Sequence, residues 1–249
     1  MRRPRPGGGD QAPVLALTAT LDPGRTPYVT VRDPAVRLKE YQVALRRWVG
    51  LRGLFSAILW VENSGHWGVD RIEKEFSNDV TVVRAPEDPG TVQRGKGLGE
   101  VGLLRELCRR RLVPSDGYLV KCTGRLFVRR TGPLLRALDG SADLVVRLRR
   151  DFTYADARFF ALRTTMLERV LLSCAGEIDD TRGWYFEHAL ARATLTEALS
   201  GARVVTWPEP PLFVGRSGSS GESYDSAGLV AKWLLSVLAH RVGHLTRWL

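Results

Sequence analysis

The chain of 249 residues carries 37 Lys and Arg against 27 Asp and Glu, a formal net charge of +10 that comes almost wholly from Arg. This excess favours anionic partners such as nucleotide phosphates, nucleic acid or an acidic membrane surface. The hydrophobic fraction of 44% is ordinary for a globular protein, and no apolar run is long enough to span a bilayer. Three cysteines, an odd number without metal-ligand spacing, indicate reduced thiols in a cytosolic protein.

Strands and helices alternate in the first half of the chain. Short apolar runs predict buried strands at 14–20, 54–61, 80–84 and 118–121. Apolar residues at helical spacing predict helices at 34–49, 69–76 and 98–112, and Asp33-Pro34 is typical of a helix start. This alternation predicts an α/β fold with a mainly parallel sheet flanked by helices.

The second half has a different pattern. After a helix at 132–138, two runs at 143–148 and 157–162 are predicted to pair as antiparallel strands. Helices are predicted at 164–173 and 184–199, and a last strand at 203–206. The Pro, Gly and Ser-rich stretch 207–226 is long enough for a lid or a binding loop.

The two ends of the chain differ from this central part, 14–226, which we predict to be a single catalytic domain. Residues 1–13 are rich in Pro, Gly and Arg, which predicts a disordered basic tail without the apolar core of a signal peptide. Residues 227–249 predict an amphipathic helix with Trp233 and Trp248. No acidic residue follows Asp225, so this helix is a candidate for contact with an anionic membrane as well as for ordinary core packing.

The stretch 118–125 provides the strongest functional signal. In an open α/β sheet, ligands bind outside the carboxyl ends of the strands, where Lys121, Thr123 and Arg125 are predicted to lie. Two cations and a hydroxyl group suit a phosphate-bearing ligand. Gly124 is expected to let the chain approach that ligand closely. A strand with a solvated basic end is the alternative interpretation.

A glycine-rich helix entry precedes this strand. Gly95, Lys96, Gly97 and Gly99 combine exposed backbone amides, a helix start and a positive charge, which together favour phosphate binding. The segment lacks the Gly-Lys-Ser/Thr ending of a Walker A loop, and a flexible helix entry is about equally consistent with it.

Further candidates lie at strand ends and helix starts. Glu62 and Asn63 end the second strand, where a carboxylate commonly holds ribose hydroxyls. Glu187 lies early in a predicted helix and is either a catalytic carboxylate or a partner of the helix dipole. The remaining candidates for ligand contacts are Thr18, Thr20 and Arg25 in and after the first strand, and Arg216, Ser217 and Ser219 in the stretch 207–226.

The order of these parts resembles a GT-A glycosyltransferase fold over roughly 14–211. Glu62-Asn63-Ser64-Gly65 stands where that family grips the nucleoside, and Lys121-Cys122-Thr123 replaces its metal-binding Asp-x-Asp. Glu187-His188, Arg192 and Gly201 follow in the order of its catalytic helix, with His in place of Asp. The pattern Lys-x-Thr-Gly-Arg at 121–125 also resembles bacterial surface-polysaccharide glycosyltransferase-like proteins.

The resemblance implies a cytoplasmic transferase, peripheral at the inner face of the plasma membrane. Its substrates would be a nucleotide-sugar donor and a glycan or lipid-linked acceptor. Thr18, Thr20 and Arg25 would contact the donor, and Arg216, Ser217 and Ser219 would form a lid or contact the acceptor. Glu187 would be the base of an inverting reaction, while Lys96, Lys121 and Arg125 would stabilise the departing diphosphate in place of a metal. No cofactor is then required, although Mg²⁺ or Mn²⁺ stays open with Asp116 as a weak candidate ligand.

Three alternatives stay open at this point. A nucleic-acid-binding protein would explain the charge, but arginines are spread along the chain and no nucleic-acid-binding motif is present. A methyltransferase or another transferase on a Rossmann-like sheet would need a Gly-rich turn after the first strand, which is missing. A non-catalytic nucleotide- or glycan-binding protein of GT-A-like fold is consistent with the missing Asp-x-Asp.

Overall fold

The computed structural model describes residues 12–218, 220–225 and 233–237. Most of the predicted basic tail lies outside these residues, as do Ser219 and most of the predicted C-terminal helix. Residues 233–237 are helical. Within them Val237 is buried and the Trp233 indole donates to the carbonyl oxygen of Pro210 at 2.7 Å, whereas Leu234 and Leu235 are exposed.

Besides the helical residues 233–237, the described part of the chain contains nine strands and seven α-helices. The strands are Val14–Ala19 (β1), Ala57–Glu62 (β2), Thr81–Arg84 (β3), Tyr118–Thr123 (β4), Leu126–Arg129 (β5), Leu144–Val145 (β6), Phe159–Arg163 (β7), Val204–Val205 (β8) and Leu212–Gly215 (β9). The helices are Pro34–Val49 (α1), Gly68–Phe76 (α2), Thr91–Arg94 (α3), Lys96–Arg109 (α4), Thr131–Leu135 (α5), Thr164–Glu177 (α6) and Phe186–Leu199 (α7). Short 3₁₀ turns lie at Arg52–Leu54 and Asp180–Arg182.

Seven strands form one sheet in the order β3-β2-β1-β4-β7-β6-β8. The pairs of β1 with β2, β1 with β4, β2 with β3 and β6 with β8 are parallel. Strand β7 runs antiparallel to both neighbours, β4 and β6. The predicted fold class is therefore confirmed: a mostly parallel sheet flanked by helices, with an antiparallel portion in the second half.

Strand β1 shows why the sheet has helices on both faces. All six of its residues are buried, and successive side chains point to opposite faces. Ala16 packs in a core with residues of α4, α6 and α7, whereas Leu15 packs in a second core with residues of α1 and α2. A strand buried on both faces reads as a continuous apolar run, as this one does.

Helix α1 forms as predicted from its start signal. The Asp33 carboxylate accepts a hydrogen bond from the Ala35 amide at 2.8 Å, and Pro34 occupies the first helical position. Tyr41, Leu45 and Trp48 recur at helical spacing and are buried.

The prediction of a loop throughout 207–226 is wrong. Strand β9 lies inside it and pairs antiparallel with β5, which follows the functional stretch 118–125. Gly215 at the end of β9 has φ +117°, and a Cβ there would lie 2.5 Å from the Arg125 carbonyl oxygen. This second sheet brings the segment 216–218 close to Arg125.

The chain order creates a switch point between β1 and β4. From β1 the chain builds β2 and β3 on one side and then returns to place β4 on the other. Connections on the two sides of such a point diverge and leave a crevice at the carboxyl ends of the strands. The candidate site lies in this crevice.

Candidate active site

A cavity of about 690 Å³ lies at the carboxyl ends of β1 and β4. Its wall includes Thr18 of β1, Thr123 of β4 and residues of α4 and α7. The connection between β6 and β7, the segment after β9, α1 and the loops after β1 and β2 also contribute to the wall. Elements from both halves of the chain therefore meet at one site.

The structure brings together most of the predicted site residues. Those that line the cavity are Thr18, Thr20, Asn63, Lys96, Gly97, Gly99, Thr123, Arg125, Glu187, Arg216 and Ser217. Those that do not line it are Arg25, Glu62, Gly95, Asp116 and Lys121. Ser219 lies outside the residues that the structure describes. Arg192 pairs with Glu177 at 3.3 Å and does not line the cavity.

Lys121 is completely buried, and its ammonium group is occupied within the protein. It lies 2.5 Å from Glu100 Oε1, 2.5 Å from the Ala157 carbonyl oxygen and 3.2 Å from Thr123 Oγ1. An ammonium group has three hydrogen-bond donors, so these contacts use all of them. The expectation that Lys121 binds a diphosphate directly is therefore replaced by a role in holding Glu100.

Glu100 is the central residue that sequence reasoning missed. Its Oε1 accepts hydrogen bonds from Thr18 Oγ1 at 2.7 Å and from Thr123 Oγ1 at 3.4 Å, besides the ion pair with Lys121. Burial would raise the pKa of the Glu100 carboxyl, but Lys121 and Thr18 outweigh it and the pKa lies below its usual value. Glu100 thus presents an ionised carboxylate to the cavity.

Glu62 has a structural role in place of the predicted contact with a ribose. Its buried carboxylate accepts hydrogen bonds from the amides of Leu21, Ser64 and Gly65 at 2.8, 3.0 and 3.2 Å. These amides belong to the turns that follow β1 and β2. The neighbouring Asn63 does line the cavity, and its Oδ1 accepts from Thr20 Oγ1 at 2.7 Å.

Gly124 makes its close approach to β1 and not to a ligand. Its amide donates to the Thr18 carbonyl oxygen at 2.8 Å, and a Cβ at this position would lie 2.7 Å from the same oxygen. The glycine therefore lets β1 and β4 pair to their ends, where Thr18 and Thr123 flank Glu100.

The glycines at the start of α4 make room for a carboxylate from the protein itself. A Cβ at Gly95 would lie 2.4 Å from the Asp180 side chain, and the Gly97 amide donates to Asp180 Oδ2 at 3.2 Å. Asp180 Oδ1 is buried and has no hydrogen-bond partner in the described structure. Burial raises the pKa of the Asp180 carboxyl above its usual value. This helix start is thus occupied in part by Asp180 and not left open for phosphate.

Glu187 lies in the first turn of α7 and lines the cavity. Burial, followed by the negative charge of Glu100, raises the pKa of its carboxyl above the usual value. Burial and the charge of Glu187 likewise raise the pKa of the Tyr154 hydroxyl. The Tyr154 hydroxyl therefore lies close enough to Glu187 for the carboxylate charge to act on it.

His188 occupies the place where the resembled family has Asp, and it acts as a cap of α7. Its Nδ1 accepts a hydrogen bond from the Tyr185 amide at 3.2 Å. The imidazole also stacks on the Tyr185 ring at 5.6 Å and meets Tyr154 and Trp184 edge to face. These contacts fix the helix start that carries Glu187.

Several cavity-lining arginines are held by defined partners. Arg125 Nη1 pairs with Glu40 at 2.8 Å, and a Cβ on Gly218 would lie 1.8 Å from its Nη2. Arg158 pairs with Asp156 at 2.7 Å and bonds the Tyr224 hydroxyl at 3.1 Å. Arg216 donates to the Gly221 carbonyl oxygen at 2.6 Å. The cavity wall is therefore rich in cations with fixed positions.

Lys121-Cys122-Thr123, which replaces the Asp-x-Asp of the resembled family, does not suit a divalent cation. In the part of the chain that the structure describes, no group of three His, Cys, Asp or Glu side chains could hold one. Glu100 is already paired with Lys121, whose ammonium would repel a cation. Asp116 is exposed and precedes β4, roughly 20 Å from the carboxyl end of the strand.

No described helix is long and apolar enough to cross a membrane. No protein-family model matches the chain, and no curated protein matches it.

Solved structures of similar architecture include three transferases or synthases. A 4-diphosphocytidyl-2C-methyl-D-erythritol synthase has a TM-score of 0.48 at 13% identity, over 90% of this chain and 99% of the other. The inositol-1-phosphate CTP transferase of T. maritima has a TM-score of 0.49 at 13% identity, over 93% and 98%. A protein of Desulfovibrio desulfuricans assigned provisionally as a nucleotide-diphospho-sugar transferase has a TM-score of 0.49 at 14% identity, over 79% of each chain.

Proposed function

We propose that this chain is a glycosyltransferase that moves a sugar from a nucleotide-sugar donor to a hydroxyl group of a glycan or lipid-linked acceptor. The observation that carries the proposal is Glu187, a cavity-lining carboxylate whose pKa is raised and whose helix start is fixed by His188. A carboxylate of raised pKa is a better base for a hydroxyl proton near neutral pH than an ordinary one. We also propose that the reaction is part of surface-polysaccharide synthesis, and this part of the proposal rests on the sequence resemblance.

The reaction would be a single displacement at the anomeric carbon. Glu187 takes the proton of the acceptor hydroxyl while the oxygen of that hydroxyl forms the new bond to the anomeric carbon. The bond from the anomeric carbon to the diphosphate oxygen breaks, and its electron pair leaves with the nucleoside diphosphate. Attack from the face opposite the leaving group inverts the anomeric configuration.

Fixed cations would stabilise the negative charge that develops on the diphosphate. Of the three cations that the sequence suggested, Lys96 and Arg125 line the cavity and Lys121 does not. Preorganised charges of this kind act without rearranging during the reaction, which makes them effective in place of a metal. We assign Thr18, Thr20, Asn63 and Gly99, which line the same part of the wall, to the nucleoside end of the donor.

Product analysis tests this proposal. The full-length protein is incubated with a panel of nucleotide sugars and glycan acceptors, and release of nucleoside diphosphate is measured together with the anomeric configuration of the product by NMR. We expect nucleoside diphosphate and an inverted glycoside. A parallel incubation with nucleoside triphosphates and sugar 1-phosphates tests nucleotidyl transfer, in which a phosphate oxygen attacks the alpha phosphorus and pyrophosphate leaves; release of pyrophosphate there, without sugar transfer from nucleotide sugars, would contradict the proposal. Binding without turnover would indicate a non-catalytic member of the fold.

A further inference from the structure

Two arginines on the connection between β6 and β7 line the cavity and have no partner among the residues that the structure describes. Arg147 and Arg150 both line it and are exposed. Their guanidinium groups form no hydrogen bond or ion pair with any residue that the structure describes, unlike those of Arg125, Arg158 and Arg216.

The connection holds these two side chains on a well-defined turn. Leu148 and Ala155 form an antiparallel bridge, and the Asp156 amide donates to the Arg147 carbonyl oxygen at 2.8 Å. At the tip, the Phe152 amide donates to the Arg149 carbonyl oxygen at 2.9 Å. The backbone positions of Arg147 and Arg150 are therefore fixed before any ligand binds.

The nearest carboxylates along the chain are already in use. Asp151 binds the Arg149 guanidinium with both oxygens and accepts from the amide and hydroxyl group of Thr153. Asp156 binds Arg158 with both oxygens. Neither of these carboxylates is paired with Arg147 or Arg150, so, within the part of the chain that the structure describes, both guanidinium groups are left for an external anion.

The same connection is tied to the start of the helix that carries Glu187. The Ala155 amide donates to the Glu187 carbonyl oxygen at 3.0 Å, and Tyr154 interacts with the Glu187 carboxyl. An anionic group held by Arg147 and Arg150 would therefore belong to the molecule whose hydroxyl group meets Glu187. The cavity residues that we assign to the nucleoside lie elsewhere, on β1 and the turn after it, on α4 and on the loop after β2.

We infer that the acceptor carries an anionic group, a phosphate or a carboxylate, which Arg147 and Arg150 bind. This inference rests on the proposed function, because it assigns one end of the cavity to the acceptor. Arginine suits both anions, since its planar fork of donors matches two oxygens of either group.

Isothermal titration calorimetry with simple anionic sugars tests the inference. The full-length protein is titrated with glucose 1-phosphate, glucuronate and glucose, each with and without a saturating nucleoside diphosphate. We expect glucose 1-phosphate or glucuronate to bind more tightly than glucose. The tighter binder of the two shows whether the anionic group of the acceptor is a phosphate or a carboxylate. Arg147→Gln/Arg150→Gln should weaken that binding about tenfold or more, because charge-assisted hydrogen bonds are lost.

A matched variant separates local binding from overall charge. Arg105→Gln/Arg129→Gln removes two positive charges from exposed arginines outside the cavity, and it should bind the anionic sugar like the wild type. Equal binding by both double variants, or no preference of the wild type for anionic sugars over glucose, would overturn the inference. A loss of nucleoside diphosphate affinity in Arg147→Gln/Arg150→Gln would also overturn it and assign the pair to the donor. Failure of the proposed function alone would appear differently, as anion binding by Arg147 and Arg150 without sugar transfer.

Discussion

The Lys121 ammonium lies 2.5 Å from Oε1 of Glu100, with the lysine side chain wholly buried and the glutamate side chain 24% exposed. The pair joins the end of β4 to the helix α4 across the switch point of the sheet. Since Thr18 and Thr123 also bond Glu100, the two strand ends and the helix are held by one carboxylate. The buried ammonium group balances the charge of a carboxylate that lines the cavity.

Removal of Lys121 is expected to destabilise the protein more than it alters ligand contacts. Lys121→Met leaves Glu100 with an uncompensated charge, which typically costs about 3–5 kcal/mol when a buried pair is broken. The free energy of unfolding from urea titration measures this effect. Lys121→Met/Glu100→Gln, which removes both charges, should recover most of the loss.

Lys74→Met serves as the control for this pair, because Lys74 is exposed on α2. It should change the free energy of unfolding by no more than a few tenths of a kcal/mol. If Lys121→Met is as stable as Lys74→Met, the ion pair with Glu100 does not hold the site together.

The glycine at the entry of α4 is expected to be required for packing. Gly95 has φ +101°, and a Cβ there would lie 2.4 Å from the Cβ of Asp180. Gly95→Ala should therefore cost about 1–3 kcal/mol of stability through backbone strain, with the clash adding to it. Thermal unfolding compared with Gly53→Ala, a position with open space around it, measures the difference. Equal melting temperatures would show that Asp180 does not pack as described.

Local signals were sufficient to predict much of the fold. Helix α1 has the predicted bounds because Asp33-Pro34 is a start signal and Tyr41, Leu45 and Trp48 mark its buried face. Strand β9 could not be predicted in the same way. It is a four-residue run in a Pro, Gly and Ser-rich stretch, and its partner β5 lies more than 80 residues earlier. Pairing across such a distance leaves no local pattern.

The site was predictable as a place and less so as a set of roles. The carboxyl ends of the strands marked the cavity, and most of the candidates line it. The roles of Lys121 and Glu62 depend on which groups lie beside each charge in the folded chain. The sequence alone does not show those spatial neighbours. Glu100 directly follows Gly99 in the glycine-rich segment. A lysine such as Lys121 inside a predicted buried strand needs a carboxylate partner, and that need could have indicated Glu100 on the preceding helix.

Sugar transfer is expected to persist without divalent cations. Lys121-Cys122-Thr123 stands in the sequence where the resembled family has its Asp-x-Asp, and the Lys121 ammonium is paired with Glu100. Turnover measured after EDTA treatment should match turnover with added Mg²⁺ or Mn²⁺. Complete loss in EDTA with recovery on addition of Mn²⁺ would contradict this prediction.

Substitution of the proposed base should reduce turnover and preserve donor binding. Glu187→Gln keeps the shape of the side chain and removes its basicity, so kcat should fall by about 10²–10⁴. Nucleoside diphosphate affinity, measured by calorimetry, should stay at the wild-type value. Glu168→Gln on the exposed surface of α6 provides the control. Near-normal turnover in Glu187→Gln would leave Glu187 as a partner of the helix dipole.

The pH dependence of turnover should reflect the raised pKa of Glu187. The base works as a carboxylate, so activity is lost as the pH falls through its pKa. Burial, and then the charge of Glu100, raises that pKa above the ordinary value of 4.5 for Glu, so the acid limb of kcat/KM should lie above pH 4.5. The positive charge of Lys96 acts in the opposite direction, because it favours the ionised carboxylate. Lys96→Met should therefore move the acid limb to higher pH, whereas Lys74→Met should leave it in place. Titration of the Glu187 carboxyl by carbon-13 NMR should show the same upward movement independently of turnover. An acid limb that stays fixed or moves to lower pH in Lys96→Met would show that another group controls the rate.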